Sequence, residues 1–141
     1  MSMDTFDHER LDVYQLAVEF VAVATELVAC YPPGTTHLRD QLSRAATSVV
    51  LNIAEGAGEF SKPEKARFYR MARRSATECA AVLDVLKVVK LVEGKPAEAA
   101  RAILIRVVSM LTRMVLGLEG SGTGRGTGAG TGTEKIGGGV T

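Results

Sequence analysis

Six cations fall within thirteen residues: Lys62, Lys65, Arg67, Arg70, Arg73 and Arg74, with Glu64 the only acid among them. Ammonium and guanidinium groups at this density can hold phosphate oxygens. Four such contacts would give a log–log salt slope of roughly −3 to −4. Recognition would run through the nucleic-acid backbone, because little aromatic surface is available for stacking. At about 100° per residue, Lys62, Lys65, Arg70 and Arg73 share an outer face with Tyr69, while Arg67 and Arg74 stand nearer Ser75 and the core edge. The competing reading is that these cations pair with Asp12, Glu19 and Glu26 on an acidic first helix, of the same copy or of a neighbour.

A second polar group is set into an apolar stripe. In Leu51-Asn52-Ile53-Ala54-Glu55-Gly56, Asn52 falls on the stripe's edge, and Ser48 and Glu55 line the neighbouring edge. A polar group buried there without a partner costs about 1–3 kcal/mol. Asn52 and Glu55 are therefore expected to bond to the following turn, or to Arg67, Arg70, Arg74 or Ser75. Ala45, Ala46, Ala54 and Ala57 leave room for another backbone to come close.

Other chemistries lack their residues. His8 and His37 have no third ligand at metal spacing, and Cys30 and Cys79 lie far apart, so neither a zinc site nor a disulfide framework is expected. No Ser/His/Asp or Cys/His set is suggested. The Gly-rich end has no Gly-Lys-Ser/Thr, and no helix carries the Glu-x-x-His of a di-iron bundle. The expectation is a protein that is not an enzyme and takes no cofactor and no metal.

The elements that must position these residues are helical. The chain of 141 residues suffices for one domain, and its apolar fraction of 46% with 5% aromatics and no Trp implies a core of Ala, Val and Leu. The formal charge of +1 is unevenly spread: residues 1–36 carry −5 and residues 37–75 carry +4. Bulk charge therefore does not drive nucleic-acid or membrane binding. No leader and no apolar membrane span are visible, and the expected setting is the cytoplasm.

Periodicity predicts four helices, over about His8–Cys30, Leu38–Ala57, Ser61–Glu93 and Pro96–Leu118. Pro32-Pro33-Gly34 ends the first, and Gly56-Ala57-Gly58 ends the second, glycine being free to adopt positive φ. Ser61-Lys62-Pro63-Glu64 reads as a capping box for the third. Its predicted core face is Phe68, Met71, Ala72, Ser75, Cys79, Val82, Leu83, Leu86 and Val89. On the fourth, Ala100, Leu104, Val107, Leu111, Met114 and Leu118 form one seam. Ile103, Ile105, Val108, Met110, Val115 and Leu116 lie largely off it, a surplus that predicts association with other copies. Short connections predict an all-α, antiparallel up-down-up-down four-helix bundle over 1–119. Ten of the fifteen Gly lie in 120–141, which reads as a disordered Gly/Thr-rich tail.

Arg44-Ala45-Ala46-Thr47-Ser48-Val49, Asn52-Ile53-Ala54-Glu55-Gly56, and Phe68, Ala72, Ser75 and Glu78 together resemble the small four-helix-bundle proteins encoded within intervening sequences of bacterial 23S ribosomal RNA genes. Val13-Tyr14-Gln15-Leu16-Ala17 is similar to that family's opening motif. The resemblance covers about residues 9–119 and assigns Arg44, Ser48, Asn52, Glu55 and Gly56 to its polar motif. Related accessory variability determinants of diversity-generating retroelements form pentameric barrels, bind nucleic acid and contact a reverse transcriptase. The resemblance thus implies a homopentamer associated with RNA or DNA and an enzyme acting on it. Ser43-Arg44 stands where the family often has paired basic residues, and Leu51 where a small polar residue is common. The alternative expectation is an interaction adaptor that presents its tail, with Glu134-Lys135-Ile136, to a partner.

Overall fold

The computed structural model describes residues 4–29, 31–92 and 94–140, with side chains as far as Gly120. A short 3-10 turn at Asp7–Arg10 leads into four helices: α1 (Asp12–Leu27), α2 (Thr36–Gly58), α3 (Lys62–Val88) and α4 (Gly94–Val140). Side chains beyond Gly120 lie outside the description, and with them the tail expected over 120–141. Cys30 and Glu93 lie outside it as well.

The helices pack in cyclic order, α1 against α2, α2 against α3, α3 against α4 and α4 against α1. Contacts pair rising residue numbers with falling ones. Gly56 and Ala57 meet Lys65, Ser48 meets Ser75, and Gln41 meets Glu78. Across the next interface Arg73 meets Thr112 and Arg70 meets Glu119. Each of these neighbouring pairs therefore runs in opposite directions.

The core is built at helical spacing from Val13, Leu16, Ala17, Phe20 and Ala24 of α1 and Leu42, Ala45, Ala46, Val49 and Ile53 of α2. Ala72, Ala76, Cys79, Leu83 and Leu86 of α3 and Ala100, Leu104, Val107 and Leu111 of α4 complete it. So many alanines at contact positions let the helix axes approach closely, which is how a chain this poor in aromatics fills its interior.

Before Gly120, the helix bounds depart most from the sequence expectation at the start of α1 and the end of α3. α1 begins at Asp12, because the 3-10 turn occupies the preceding residues and Leu11 takes an extended conformation. α2 ends inside the expected Gly56-Ala57-Gly58 segment, at Gly58, with Gly56 itself helical; among the described residues the left-handed glycines are Gly34 and Gly94. Gly34 (φ 98°) makes the turn after Pro32-Pro33. α3 stops at Val88, before the expected Glu93, in a Schellman arrangement. Lys90 takes φ 62°, its N–H donates to Lys87 O (3.0 Å), and the Leu91 N–H donates to Leu86 O (2.8 Å). That left-handed position is usually glycine, so a lysine there gave no stop signal.

Among the described residues no helix is long and apolar enough to cross a membrane. No group of three or more His, Cys, Asp and Glu side chains among them is placed to hold a metal ion.

Candidate nucleic-acid interface

The turn from α2 to α3 is three residues long, Glu59-Phe60-Ser61, and is fixed from both sides. Ser61 caps α3, its Oγ accepting the Glu64 N–H at 3.2 Å. From one turn inside α3, the Lys65 Nζ reaches back and donates to Gly56 O (3.2 Å) and Ala57 O (2.9 Å). It thereby satisfies carbonyls that the end of α2 leaves without an intrahelical donor. Lys65 is a helix cap here rather than an open phosphate ligand.

Gly56 is needed for space. A Cβ on it would sit 2.7 Å from Tyr69 Cε1 and 3.1 Å from Phe68 Cβ. The Tyr69 ring lies against the bare backbone and is buried, and that burial pushes its hydroxyl above the ordinary tyrosine range. Tyr69 therefore faces inward, not outward with the cations, and the buried face of α3 follows it through Ala72, Ala76 and Cys79. Phe68, Met71 and Ser75, expected at the core, are half-buried beside it, and Val89 is exposed. The polar motif sits on the same seam. Asn52 Nδ2 donates to Ser48 O (2.9 Å) and Ser48 Oγ (3.0 Å), and Ser48 Oγ lies 2.8 Å from Ser75 Oγ. Asn52 thus reaches Ser75 through Ser48. Arg44 and Glu55 are exposed and stand outside this chain of bonds.

The remaining cations line the outside of α3. Arg67 donates from Nε to Glu64 Oε1 (3.0 Å) and lies 4.5 Å from the centroid of the Phe68 ring. Arg70 pairs with Glu119 of α4, and Arg73 Nε donates to Thr112 Oγ1 at 2.7 Å. Arg74 is exposed, as is Lys62. These partners of Arg67, Arg70 and Arg73 lie on α3 and α4, not on α1. Within one copy, the pairing of these three arginines with Asp12, Glu19 and Glu26 is replaced by partners on α3 itself and on α4, because α3 packs against α2 and α4 and not against α1. The Arg67–Glu64 and Arg70–Glu119 pairs are about half exposed on both sides. Such exposed pairs contribute about 0–1 kcal/mol, so a phosphate can displace the carboxylate.

The apolar surplus on α4 is smaller than its sequence suggests. Ile103 and Val115 turn inward and are buried, and Val108 and Met110 are partly buried against the core. Ile105 (52% exposed) and Leu116 (61%) face outward. The inward set is wider than a single seam because α4 packs on both α3 and α1. Ile105 and Val108 line a shallow apolar groove with Thr77 and Ala80 of α3.

A model of the family described as 23S rRNA-intervening sequence protein matches residues 9–113, from the turn before α1 to the last third of the core-packed part of α4. The chain belongs to that family. The match takes in the whole α2–α3 seam and all six cations of α3. A comparison with curated proteins gives no match. Sequence reasoning missed Phe60, Thr112 and Glu119, and placed Tyr69 on the wrong face. A phenylalanine between Glu59 and Ser61 in a polar turn was the one available signal; the others depend on which helices become neighbours.

Proposed function

We propose that this member of the family is a non-enzymatic scaffold that carries RNA or DNA on the outer face of α3. Copies of the bundle associate into a closed ring, of five by the resemblance to retroelement accessory proteins, and hold nucleic acid for an enzyme such as a reverse transcriptase. The observation that carries the reading is the row of exposed guanidiniums at Arg67, Arg70, Arg73 and Arg74. Three of them have polar partners, Glu64, Glu119 and Thr112, that phosphate can outbid. Association of copies draws on the outward Ile105 and Leu116 and on the groove beside Ile105.

Two measurements test this. Light scattering at micromolar concentration should return one closed oligomer, and a monomer would refute the assembly. Arg70→Glu combined with Arg73→Glu should abolish RNA binding at physiological salt while far-ultraviolet circular dichroism stays unchanged. Unaltered affinity would remove α3 from the interface.

A further inference from the structure

Phe60 is 100% exposed, the most exposed large apolar side chain among the described residues. It sits at the centre of a turn that is fastened from both sides. Gly56 is packed under Tyr69, Lys65 caps the end of α2, and Ser61 caps the start of α3. The backbone that carries the ring is thus held in place while the ring itself touches solvent. Phe60 is followed at once by the cation-rich stretch from Lys62 to Arg74, which spans about 18 Å of helix at 1.5 Å per residue.

An exposed ring on a held backbone, next in sequence to a row of cations, is the combination that engages unpaired nucleotides. Any base offers a π-face for stacking, and cations track the backbone. Bases within a duplex are already stacked and present no free face. We propose that Phe60 is a stacking platform, and that the α2–α3 end of the bundle binds single-stranded RNA or DNA in preference to duplex. An unpaired base lies on Phe60 while Arg67 and Arg70 take the adjoining phosphates. Because the turn is ordered beforehand, stacking requires little further loss of freedom in the protein. This inference rests on the α3 nucleic-acid reading above and adds which form of nucleic acid is chosen.

The test uses a single-stranded RNA of mixed sequence and the same strand annealed to its complement, with the full chain in its native assembly. Phe60→Ala should weaken single-strand binding about 5- to 150-fold, the range for one stacked base, and leave duplex binding and the salt slope unchanged. The chain has no Trp, so Phe60→Trp introduces a single indole. Its fluorescence should be quenched by the single strand and not by the duplex. Equal losses for both forms, no loss for either, or an unquenched indole would each overturn the proposal. Loss of assembly by Phe60→Ala in light scattering, with RNA affinity intact, would assign the ring to a copy-to-copy contact and overturn it too. If Phe60→Ala has no effect while Arg70→Glu with Arg73→Glu abolishes binding of both forms, the α3 reading stands and only the stacking claim fails. Absence of any binding by the unmodified protein would remove both.

Discussion

The α2–α3 seam and the contacts of α1 hold the same bundle together by different means. Across α2–α3 the helices are joined by named bonds, Lys65 to two carbonyls and Ser48 to Ser75, and by a glycine that no other residue can replace without movement. The side-chain bonds of α1, Gln15 to Glu9 O and Thr25 to Val21 O, stay within its own segment, and α1 is held by Val13, Leu16, Phe20 and Ala24 packing into the core. One side is specified by geometry, the other by volume. The difference teaches where the fold tolerates exchange of apolar residues and where it does not.

The two modes separate under substitution, and the largest effect belongs to the volume side. Phe20→Ala should destabilise by about 4 kcal/mol in urea denaturation, because a fully buried ring is removed. Phe20→Leu should recover most of that. Gly56→Ala adds one methyl yet should destabilise by about 2–3 kcal/mol, since the new Cβ would overlap the Tyr69 ring. Gly58→Ala, two residues on and with nothing within 4 Å, should be neutral or slightly stabilising. Equal effects of the two glycine substitutions would break the comparison. Asn52→Leu or Ser75→Ala should each cost about 1 kcal/mol, and the double variant should depart from additivity because Ser48 bonds both.

Core burial also sets a pH dependence. Cys79 is fully buried, and desolvation, reinforced by the neighbouring Glu78 carboxylate, pushes its thiol up to about 12. An unfolded thiol ionises near 8.5. The folded state therefore holds the proton more tightly, and this contribution is fully present below that pH and is lost as pH rises toward 12. Urea denaturation from pH 8 to pH 11 should show stability falling, and Cys79→Ala should flatten that fall. In a Cys30→Ser background, a thiol reagent at pH 8 should react only upon unfolding. The smallest effect is expected at the surface: Arg70→Ala breaks the exposed pair with Glu119 and should change stability by about 0–1 kcal/mol.

Much of the fold was legible in the sequence because four long apolar periods and their Pro, Gly and Ser punctuation are local signals. Ser61 as the cap of α3 was read from a four-residue pattern, and its Oγ does accept the Glu64 N–H. The inward rotation of α3 was not legible. Phe68 and Tyr69 are adjacent aromatics, and periodicity cannot choose between them; the choice is made by Gly56, thirteen residues earlier, which accommodates the Tyr69 ring. The end of α3 was hidden because Lys90 occupies a position that glycine usually marks. In the polar motif, Ser75 was named as a partner for Asn52, but the intermediate Ser48 hydroxyl was not, since side-chain relays depend on the register of two helices. The six cations were visible as a cluster. Their partners at Thr112 and Glu119 required knowing that α4 lies alongside α3.

The most direct test of the α3 surface as a nucleic-acid interface is the salt dependence of single-stranded RNA binding, measured by fluorescence anisotropy for the unmodified protein and for Arg70→Glu with Arg73→Glu. Four phosphate contacts to a single strand predict a log–log slope of about −3, shallower by at least about 1.4 once two of them are reversed. Identical slopes for the two proteins, or no binding by the unmodified protein at low salt, would contradict it.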